Sequence, residues 1–449
     1  MSKYKTAPEP SVSKPKGIPY IIGNEAAERF SFYGMKTILV IYMTKYLMNQ
    51  NGALDVMSRE EALTWYHLFT GGVYFTPIIG AFLSDAVLGK YRTIISLSIV
   101  YCLGHLVLSL DDTRIGLSIG LSLIAMGSGG IKPCVSAHVG DQFGKTNSHL
   151  LEKMYSWFYF SINFGAFFST LATPLLLEKY GPNVAFGIPG LLMLIATYVF
   201  WLGRKKFIHI PPGGMKFAKE IASKEGLNAV ARLSIIYVFV SIFWSLYDQT
   251  GSSWVLQADQ MNRTWLGITW LPSQIQAVNP ILILIFIPLF NYAVFPAVSK
   301  RIDLTPLRKI GFGLFLTVPS FLIIGYAQSL IDVGQVPGIY WQIIAYGFIT
   351  AAEVLVSITC LEFSYSQAPR TMKSIIMSYF FLSLTLGNLI TAGVNVFIQN
   401  PDGSLKIEGA NYFYFFAGLM FVTAILFTVF SRYYTPTSYY QEEATQNLK

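Results

Sequence analysis

Long apolar segments, separated by short polar loops, occupy most of this chain. A helix needs about 20 consecutive apolar residues to cross the hydrocarbon core of a bilayer. By length and hydropathy, twelve segments meet that requirement, so the pattern predicts an all-α membrane protein with twelve transmembrane helices. The approximate limits of the predicted spans are 21–48, 63–88, 92–110, 114–140, 155–178, 184–203, 232–256, 271–298, 306–328, 340–366, 373–400 and 411–434.

The basic residues of the loops predict the orientation of these spans. Cytoplasmic loops of membrane proteins carry an excess of Lys and Arg. If the N-terminus is cytoplasmic, most loop Lys and Arg residues lie on the cytoplasmic side. The opposite loops then hold only Arg59, Arg114, Lys179, Arg263 and Lys406. This asymmetry predicts that both termini are cytoplasmic, that the number of spans is even, and that the protein resides in a cell membrane.

The longest internal loop, residues 204–231, divides the spans into two groups of six. After the second span comes Gly80-x4-Asp85-x3-Gly89-Lys90-x-Arg92, and a degenerate basic segment, 300–309, follows the eighth. Two related six-helix bundles are therefore expected, an organisation that resembles the major facilitator architecture. The predicted domains are a mobile N-terminal arm (1–17), a first bundle (18–203), a linker that can hold a short surface helix (204–231), a second bundle (232–434) and a tail (435–449).

Composition supports the membrane prediction and excludes other classes of protein. Of the 449 residues, 53% are hydrophobic and 12% are charged, and the mean hydropathy is +0.49, whereas soluble domains carry about 25% charged residues. The net charge of +8 does not indicate a nucleic-acid partner, because the basic residues lie in short loops. No signal peptide, metal-ligand spacing or phosphate-binding loop is found, and Cys102, Cys134 and Cys360 are interpreted as core residues. The sequence thus predicts no enzyme activity, metal or direct use of ATP.

The first predicted span is unusual because it carries several ionisable side chains. On a helix, Glu25, Glu28, Arg29, Tyr33 and Lys36 fall within an arc of about 140°, since each residue turns by about 100°. Ionisable groups at membrane depth are costly and usually line a polar cavity where they function. These side chains are therefore predicted to face one cavity.

Other predicted spans contain charged or ionisable side chains as well: His67 and Lys132 in the first half, and Asp248 and Glu353 in the second. Buried ion pairs add little stability, because desolvation opposes the Coulomb attraction. Opposite charges on two bundles are better explained as pairs that form and break during a conformational change. His67 is interpreted either as a proton relay or as a satisfied hydrogen-bonding residue. For His105 and His138, which stand outside the acidic clusters, structural roles are expected.

Uncharged polar side chains recur at helical spacing near these charges. Tyr155, Tyr159 and Asn163 share one face of the fifth span, and Trp244 lies one turn from Asp248, as Ser357 does from Glu353. Tyr33, Tyr74 and Tyr159 share faces with polar in-span residues, which makes a binding role as plausible for them as packing. Gly127-Ser128-Gly129-Gly130 is expected to allow close helix packing and not to cradle a phosphate.

Three segments resemble signatures of the proton-coupled oligopeptide transporters, a family of the major facilitator superfamily. Residues 25–33 fit E-x-x-E-R-F-x-(F/Y)-Y, residues 127–144 are similar to the fourth-span signature, and residues 158–165 fit F-Y-x-x-I-N-x-G. Weaker similarity covers most of the chain, including Phe243-Trp244-x3-Asp248-Gln249, Asn279-Pro280 and Glu353-x3-Ser357.

The resemblance implies a proton-coupled symporter that imports di- and tripeptides by alternating access. The implied proton-coupling residues are Glu25, Glu28 and Arg29, with His67 as a further candidate. The implied substrate residues are Arg29, Lys36 and Lys132 for the peptide carboxylate, Glu353 for its amino group, Tyr33, Tyr74, Tyr159, Asn163 and Asn279 for its backbone, and Trp244 and Ser357 for its side chains. Lys36 with Asp248, near His67, resembles an outer gate, and Lys132 with Glu353 resembles an inner one. Beyond peptides, protons and the lipid bilayer, no partner or cofactor is implied, and a monomer is the expected unit.

Three departures from the family pattern affect these expectations. Lys36 stands where many relatives have Arg, so a point charge replaces a two-pronged donor. Phe380 occupies a position that often carries Trp, and the loop 204–231 is too short for two additional spans. One alternative is the same scaffold transporting nitrate or another organic anion, although Glu353 would repel such substrates. A membrane peptide sensor and an intramembrane enzyme are the less favoured alternatives.

Overall fold

The computed structural model describes residues 4–8, 11–212, 214, 224–367, 373–400 and 405–435. In the first half, six long helices follow one another in chain order: α1 (Ile18–Lys45), α2 (Arg59–Phe82), α3 (Lys90–Leu110), α4 (Arg114–Asp141), α5 (Leu151–Tyr180) and α6 (Pro182–Leu202). A π-helical turn, Leu83–Leu88, extends α2, and 3-10 turns at Lys145–Leu150 and Gly203–Lys205 flank α5 and α6.

Three of the six spans of the second half are interrupted. The seventh comprises α7 (Lys224–Tyr247), a 3-10 turn (Asp248–Gly251) and α8 (Ser253–Ala258), and a short antiparallel hairpin of β1 (Thr264–Trp265) and β2 (Ile268–Thr269) follows. The eighth comprises a 3-10 turn (Pro272–Ala277), α9 (Val278–Leu289), a π turn (Phe290–Val294) and α10 (Phe295–Ser299). The remaining spans are α11 (Pro306–Asp332), α12 (Tyr340–Glu353) joined by a π turn (Val354–Ile358) to α13 (Thr359–Gln367), α14 (Lys373–Phe397) and α15 (Ala410–Tyr433).

The predicted all-α membrane architecture is confirmed. Within the described residues, eleven helical segments are long and apolar enough to cross a membrane. The first span, α1, has 28 residues but contains Glu25, Glu28, Arg29 and Lys36, and with it the spans number twelve. Their limits agree with the sequence prediction to within a few residues, except that α7 begins at Lys224, inside the predicted linker. The cytoplasmic location of both termini stays a prediction.

Hydroxyl side chains determine where several helices begin. The Oγ of Ser58 accepts a hydrogen bond from the backbone N–H of Glu61 at the start of α2. Thr113 caps α4 through Gly116 in the same way, and Thr305 caps α11 through Arg308. These side chains satisfy backbone donors that a helix leaves free in its first turn.

The helices enclose two separate apolar cores. One is built from residues of α1–α6 together with Val255 and Leu256, and the other from residues of the second half. Close glycine contacts tighten the first core: Gly80 of α2 lies against the backbone of Gly130 in α4, and Gly129 lies against Thr76. The glycine-rich segment 127–130 therefore serves helix packing, as predicted. Contact between the halves includes α2 and α14, where the hydroxyl of Thr385 donates to the carbonyl of Gly71 at 3.1 Å.

The described residues of the N-terminal arm contact the first bundle, and the predicted mobility of the arm stays a prediction. Within the described part of the arm, the backbone carbonyl of Lys5 accepts a hydrogen bond from the N–H of His209 at 2.8 Å. The ring of Tyr4 stacks on that of His209 with centroids 4.3 Å apart, and Asn147 donates to the carbonyl of Ser13 at 3.2 Å. Aromatic stacking and backbone pairing hold these residues against the first bundle. The predicted surface helix of the linker falls mainly on residues 213 and 215–223, outside the described residues.

Candidate functional site

A cavity of about 490 Å³ lies between the two halves. Pockets of about 300–1,000 Å³ are typical of small-molecule sites. The cavity is lined by ten of the predicted substrate residues: Arg29, Tyr33, Lys36, Tyr74, Lys132, Asn163, Trp244, Asn279, Glu353 and Ser357. The eleventh, Tyr159, has its side chain outside the described residues. Side chains from seven spans thus converge on one chamber.

At one wall of the cavity, Arg29 contacts two buried glutamates of the same helix. Its Nε donates to the Oε1 of Glu25 at 2.7 Å and lies 3.3 Å from the Oε2 of Glu28. The hydroxyl of Ser128, carried by the tightly packed glycine segment of α4, donates to the other Glu28 oxygen at 2.5 Å. Arg29 lines the cavity, whereas Glu25 and Glu28 lie behind it. A proton placed on either glutamate would weaken one of the contacts that hold Arg29.

A continuous polar chain joins the halves at one end of the cavity. Lys36 Nζ lies 2.9 Å from the Oδ1 of Asp248, and the amide of Asn388 donates to Oδ2 of the same carboxylate at 2.7 Å. The carbonyl oxygen of Asn388 is 2.7 Å from Nδ1 of His67, and Nε2 of His67 is 3.0 Å from the hydroxyl of Ser252. The 3-10 turn that ends α7 places Asp248 and Ser252 in this chain. We call these five residues the closed network.

The second charge pair implied by the family resemblance is not formed in this conformation. Lys132 Nζ lies over the rings of Phe32 and Tyr74, 4.2 and 4.6 Å from their centroids. Glu353 accepts instead from the amide of Asn279 at 2.8 Å, and the hydroxyl of Tyr247 donates to Asn279 Oδ1 at 3.3 Å. No ion pair within 4.0 Å joins Lys132 to Glu353, and both are described residues. The two charges therefore face the cavity from opposite halves.

The hydrogen bonds between the halves gather at the same end as the closed network. Besides that network, Gln276 donates to the carbonyl of Thr37 at 3.2 Å and Gln274 donates to that of Leu171 at 2.9 Å. Lys45 and Asp259 add an ion pair of 2.5 Å. These contacts, like that of Thr385, use the C-terminal parts of α1 and α5 and the N-terminal part of α2. Among the described residues, no hydrogen bond between the halves lies at the opposite end.

Trp244 presents a donor that the protein does not use. Its indole Nε1 is buried and, within the described residues, has no hydrogen-bond partner, although the side chain lines the cavity. The ring packs against Phe380, the residue that stands where many relatives have Trp, with centroids 6.4 Å apart. A buried polar group without a partner is costly, so a ligand acceptor here would relieve that cost.

Several residues of the site were not singled out from the sequence. Asn388 and Ser252 complete the closed network, Ser128 binds Glu28, and Tyr247 with Thr350 surrounds the amide of Asn279. Asn388 could have been identified, because an amide in the middle of an apolar span usually bonds to a neighbouring helix. The hydroxyl residues carry no comparable signal. In the described part of the chain, no three His, Cys, Asp or Glu residues come together as a metal site.

The similarity to known families and proteins agrees with the resemblance found in the sequence. The model of the POT family matches residues 91–224 and 215–411. The human protein solute carrier family 15 member 2 is 38% identical over 379 residues, which cover 72% of this chain and 51% of the human protein. Peptide transporter family 1 of Drosophila melanogaster is 37% identical over 361 residues, covering 70% of this chain and 48% of that protein. The chain thus spans about half the length of the curated relatives it matches.

Solved structures extend the similarity over nearly the whole chain. The crystal structure of the POT family transporter PepTSo superposes with a TM-score of 0.84 at 37% identity, covering 94% of this chain and 98% of that one. The structure of an auto-inhibited POT family peptide transporter gives a TM-score of 0.85 at 36% identity, covering 96% and 99%.

Proposed function

This chain belongs to the POT family, and we propose that it is a proton-driven symporter that imports di- and tripeptides by alternating access. The proposal draws on the geometry of the cavity and on two relatives that are named as peptide transporters. We further propose that the halves 18–203 and 232–434 move as two bodies, that both termini are cytoplasmic in a cell membrane, and that a monomer suffices.

The observation that carries the proposal is the separation of charge across the cavity. Arg29 and Lys132 line it from the first half, and Glu353 lines it from the second. A peptide with free ends is a zwitterion, so its carboxylate would lie towards the cations and its ammonium group towards Glu353. Charge-assisted hydrogen bonds at both ends would supply most of the orientation. Aromatic walls would then leave the peptide side chains weakly constrained, which favours a broad range of peptides.

Proton coupling is assigned to Glu25, Glu28 and Arg29. Arg29 is held by both glutamates in this conformation. Protonation of one glutamate would release part of the guanidinium for the peptide carboxylate, and bound peptide would in turn favour the protonated state, because coupling between two ligands is reciprocal. Ser128 can donate to Glu28 in the ionised form and accept from it in the protonated form. We propose that His67, a further candidate for proton coupling, acts at the gate, because its two ring nitrogens are engaged by Asn388 and Ser252.

Transport of nitrate or another small anion is the weaker alternative. A carboxylate at position 353 repels an anion, and a small inorganic ion has no group to pair with it. A peptide sensor would show binding without translocation, and an intramembrane enzyme would alter the peptide.

The test is uptake into proteoliposomes with an imposed pH gradient. We expect accumulation of a free dipeptide and a free tripeptide, little uptake of an N-acetylated dipeptide or of nitrate, and recovery of chemically intact peptide. Uptake that ignores the gradient would refute the coupling, whereas uptake of nitrate alone would favour the alternative.

A matched pair of variants tests the coupling residue. Glu28→Gln should abolish gradient-driven accumulation while peptide exchange persists, because the side chain can no longer take up a proton. Glu178→Gln, at an exposed glutamate near the end of α5, makes the same chemical change and should leave accumulation unchanged. If Glu28→Gln accumulates peptide as well as the parent protein does, Glu28 is not the coupling group.

A further inference from the structure

A second pocket lies outside the transport cavity, where α2 ends and α3 begins. Its volume is about 400 Å³. The N-terminal arm, the α2–α3 turn, α4 and the segment after α6 contribute to its walls, and the lining includes Tyr4, Leu88, Arg92, His138, His209 and Ile210. We call it the arm pocket.

Two otherwise separate segments close the arm pocket. The backbone bond between His209 and Lys5 and the stacking of Tyr4 on His209 bring the N-terminal arm and the segment after α6 together. Tyr91 completes the aromatic wall, with its ring 4.7 Å from that of His209. At Gly89 the backbone has a φ of 78°, and a side chain there would come within 3.3 Å of the carbonyl oxygen of Ile210. The walls of the pocket are thus held together by specific contacts between these segments.

The start of α3 gives the pocket a positive field. The first backbone bond into this helix is donated by Thr93 to Gly89, and no side chain caps the end. The N–H groups of residues 90–92 therefore lack intrahelical acceptors, as expected for a first turn. Such an end favours anions. Lys90 is paired with Asp141 at 2.8 Å, but exposed Arg92 is joined to no carboxylate among the described residues.

His138 supplies an independent indication of a ligand. Its side chain is only 1% exposed, and both ring nitrogens lack a hydrogen-bond partner within the described residues. The ring lies against Phe207, with centroids 5.1 Å apart, and borders the arm pocket. Buried polar groups in proteins are almost always hydrogen-bonded. An imidazole that is left without partners beside a cationic cavity fits an anion with oxygen acceptors.

We propose that the arm pocket binds a phosphate group, presented either by the headgroup of an anionic phospholipid or by a free phosphate. The backbone N–H groups at the start of α3, the guanidinium of Arg92 and one ring nitrogen of His138 would donate to its oxygens. Apolar lining by Leu88 and Ile210 would accept the glycerol and first acyl carbons of a lipid. Because the ligand would touch the arm, the linker and the α2–α3 turn together, its binding would hold these segments in place.

Binding can be measured on the full-length protein in a neutral detergent by titration calorimetry. The probes are short-chain dihexanoyl phosphatidylglycerol, dihexanoyl phosphatidylcholine and inorganic phosphate. We expect phosphatidylglycerol to bind, and Arg92→Gln to weaken its affinity by about tenfold or more, the usual loss for one charge-assisted hydrogen bond. His138→Phe should weaken it as well. Arg301→Gln, an exposed arginine in the corresponding loop of the second half, removes the same charge and should have no effect.

The probes also distinguish the two sources of the phosphate group. Competition by inorganic phosphate at equal affinity would identify a free phosphate as sufficient, whereas binding of phosphatidylglycerol alone would identify a lipid headgroup. The proposal is overturned if neither phosphatidylglycerol nor inorganic phosphate binds. It is also overturned if phosphatidylcholine binds as tightly as phosphatidylglycerol, or if Arg92→Gln leaves the affinity unchanged. Because Arg92 is exposed, its variant is expected to fold even where His138→Phe does not. Peptide transport is not required in any of these measurements.

Discussion

The two ends of the transport cavity carry similar residues in different arrangements. At one end, Lys36 and Asp248 form a buried ion pair inside the closed network. Towards the other end, Lys132 and Glu353 also lie on opposite halves but do not pair. Lys132 contacts aromatic rings, and Glu353 accepts a hydrogen bond from an amide. The contrast shows that an opposite charge on the facing bundle does not by itself produce a contact.

What distinguishes the ends is the number of neighbouring groups that satisfy each charge. Both carboxylate oxygens of Asp248 accept hydrogen bonds, one from Lys36 and one from Asn388. The chain of hydrogen bonds continues from Asn388 through His67 to Ser252. Glu353 has its donor within its own half, so it does not need Lys132 to be satisfied. The proposed alternating access would require the protein to exchange one set of partners for the other at a small net free energy.

The largest expected effect comes from breaking the closed network at Asp248. Asp248→Asn leaves Lys36 buried without a counter-charge, and loss of one partner of a buried ion pair costs about 3–5 kcal/mol. The closed end should therefore open in most molecules. Spin labels at exposed positions 51 and 336, on loops of the two halves, should show a longer distance, with Cys102, Cys134 and Cys360 replaced by alanine.

The second ion pair between the halves provides the control for that change. Lys45 and Asp259 are partly exposed, at 45% and 29% of their side chains, against 11% and 5% for Lys36 and Asp248. Asp259→Asn should shift the label distances little, since exposed pairs contribute about 0–1 kcal/mol. Equal shifts for the two variants would show that burial does not determine how strongly an ion pair holds the halves together.

The architecture could be predicted from the sequence more fully than the site. Apolar length alone identifies the spans, because a helix of about 20 apolar residues crosses the bilayer and satisfies its backbone hydrogen bonds within its own segment. The charges within spans were identifiable for the same reason, and ten of the predicted substrate residues line one cavity. The bond from Ser128 in α4 to Glu28 in α1, however, depends on how the helices pack in three dimensions, and no spacing within either helix predicts it. Which charge pair is formed depends on the conformation, and no sequence pattern encodes that.

A smaller effect, limited to substrate binding, is expected at the open end. Glu353→Gln removes the charge that would meet the peptide amino group and should raise the KM for a dipeptide by about 10- to 100-fold, the equivalent of one charged hydrogen bond. The label distances at the closed end should not change, because Glu353 bonds within its own half. Glu362→Gln, an exposed glutamate on α13, is the matched control. A shift in the label distances would show that Glu353 also helps to hold the two halves together at the closed end.

Trp244 is expected to affect binding without affecting stability. Its indole nitrogen has no partner among the described residues, so Trp244→Phe removes no hydrogen bond from the free protein and should leave the melting temperature within about 2 °C. The KM for peptides should rise by about threefold to tenfold if the nitrogen donates to the substrate, as one neutral hydrogen bond would give. A lower melting temperature with an unchanged KM would assign Trp244 to packing.

The smallest effect concerns the arm beside the open end and depends on pH. Burial lowers the pKa of His209 below its ordinary value, and the positive charge of Arg92 lowers it further. The hydrogen bond between Nε2 and the Arg204 carbonyl, at 2.7 Å, raises the pKa in part. The packed arm thus favours the neutral ring. When the pH falls below about 6.5, the released state takes up the proton first, so packing of the arm weakens.

Hydrogen exchange of the backbone amide of residue 209, which donates to the carbonyl of Lys5, should therefore be faster at pH 5.5 than at pH 6.5 after correction for the intrinsic rate. The increase should be less than about tenfold, because one group changes an equilibrium by at most tenfold per pH unit. His209→Phe keeps an aromatic ring beside Tyr4 but cannot titrate, so its corrected exchange should be the same at both values. Equal acceleration in that variant would mean that other groups release the arm, and the open end would then have no pH-dependent contact at His209.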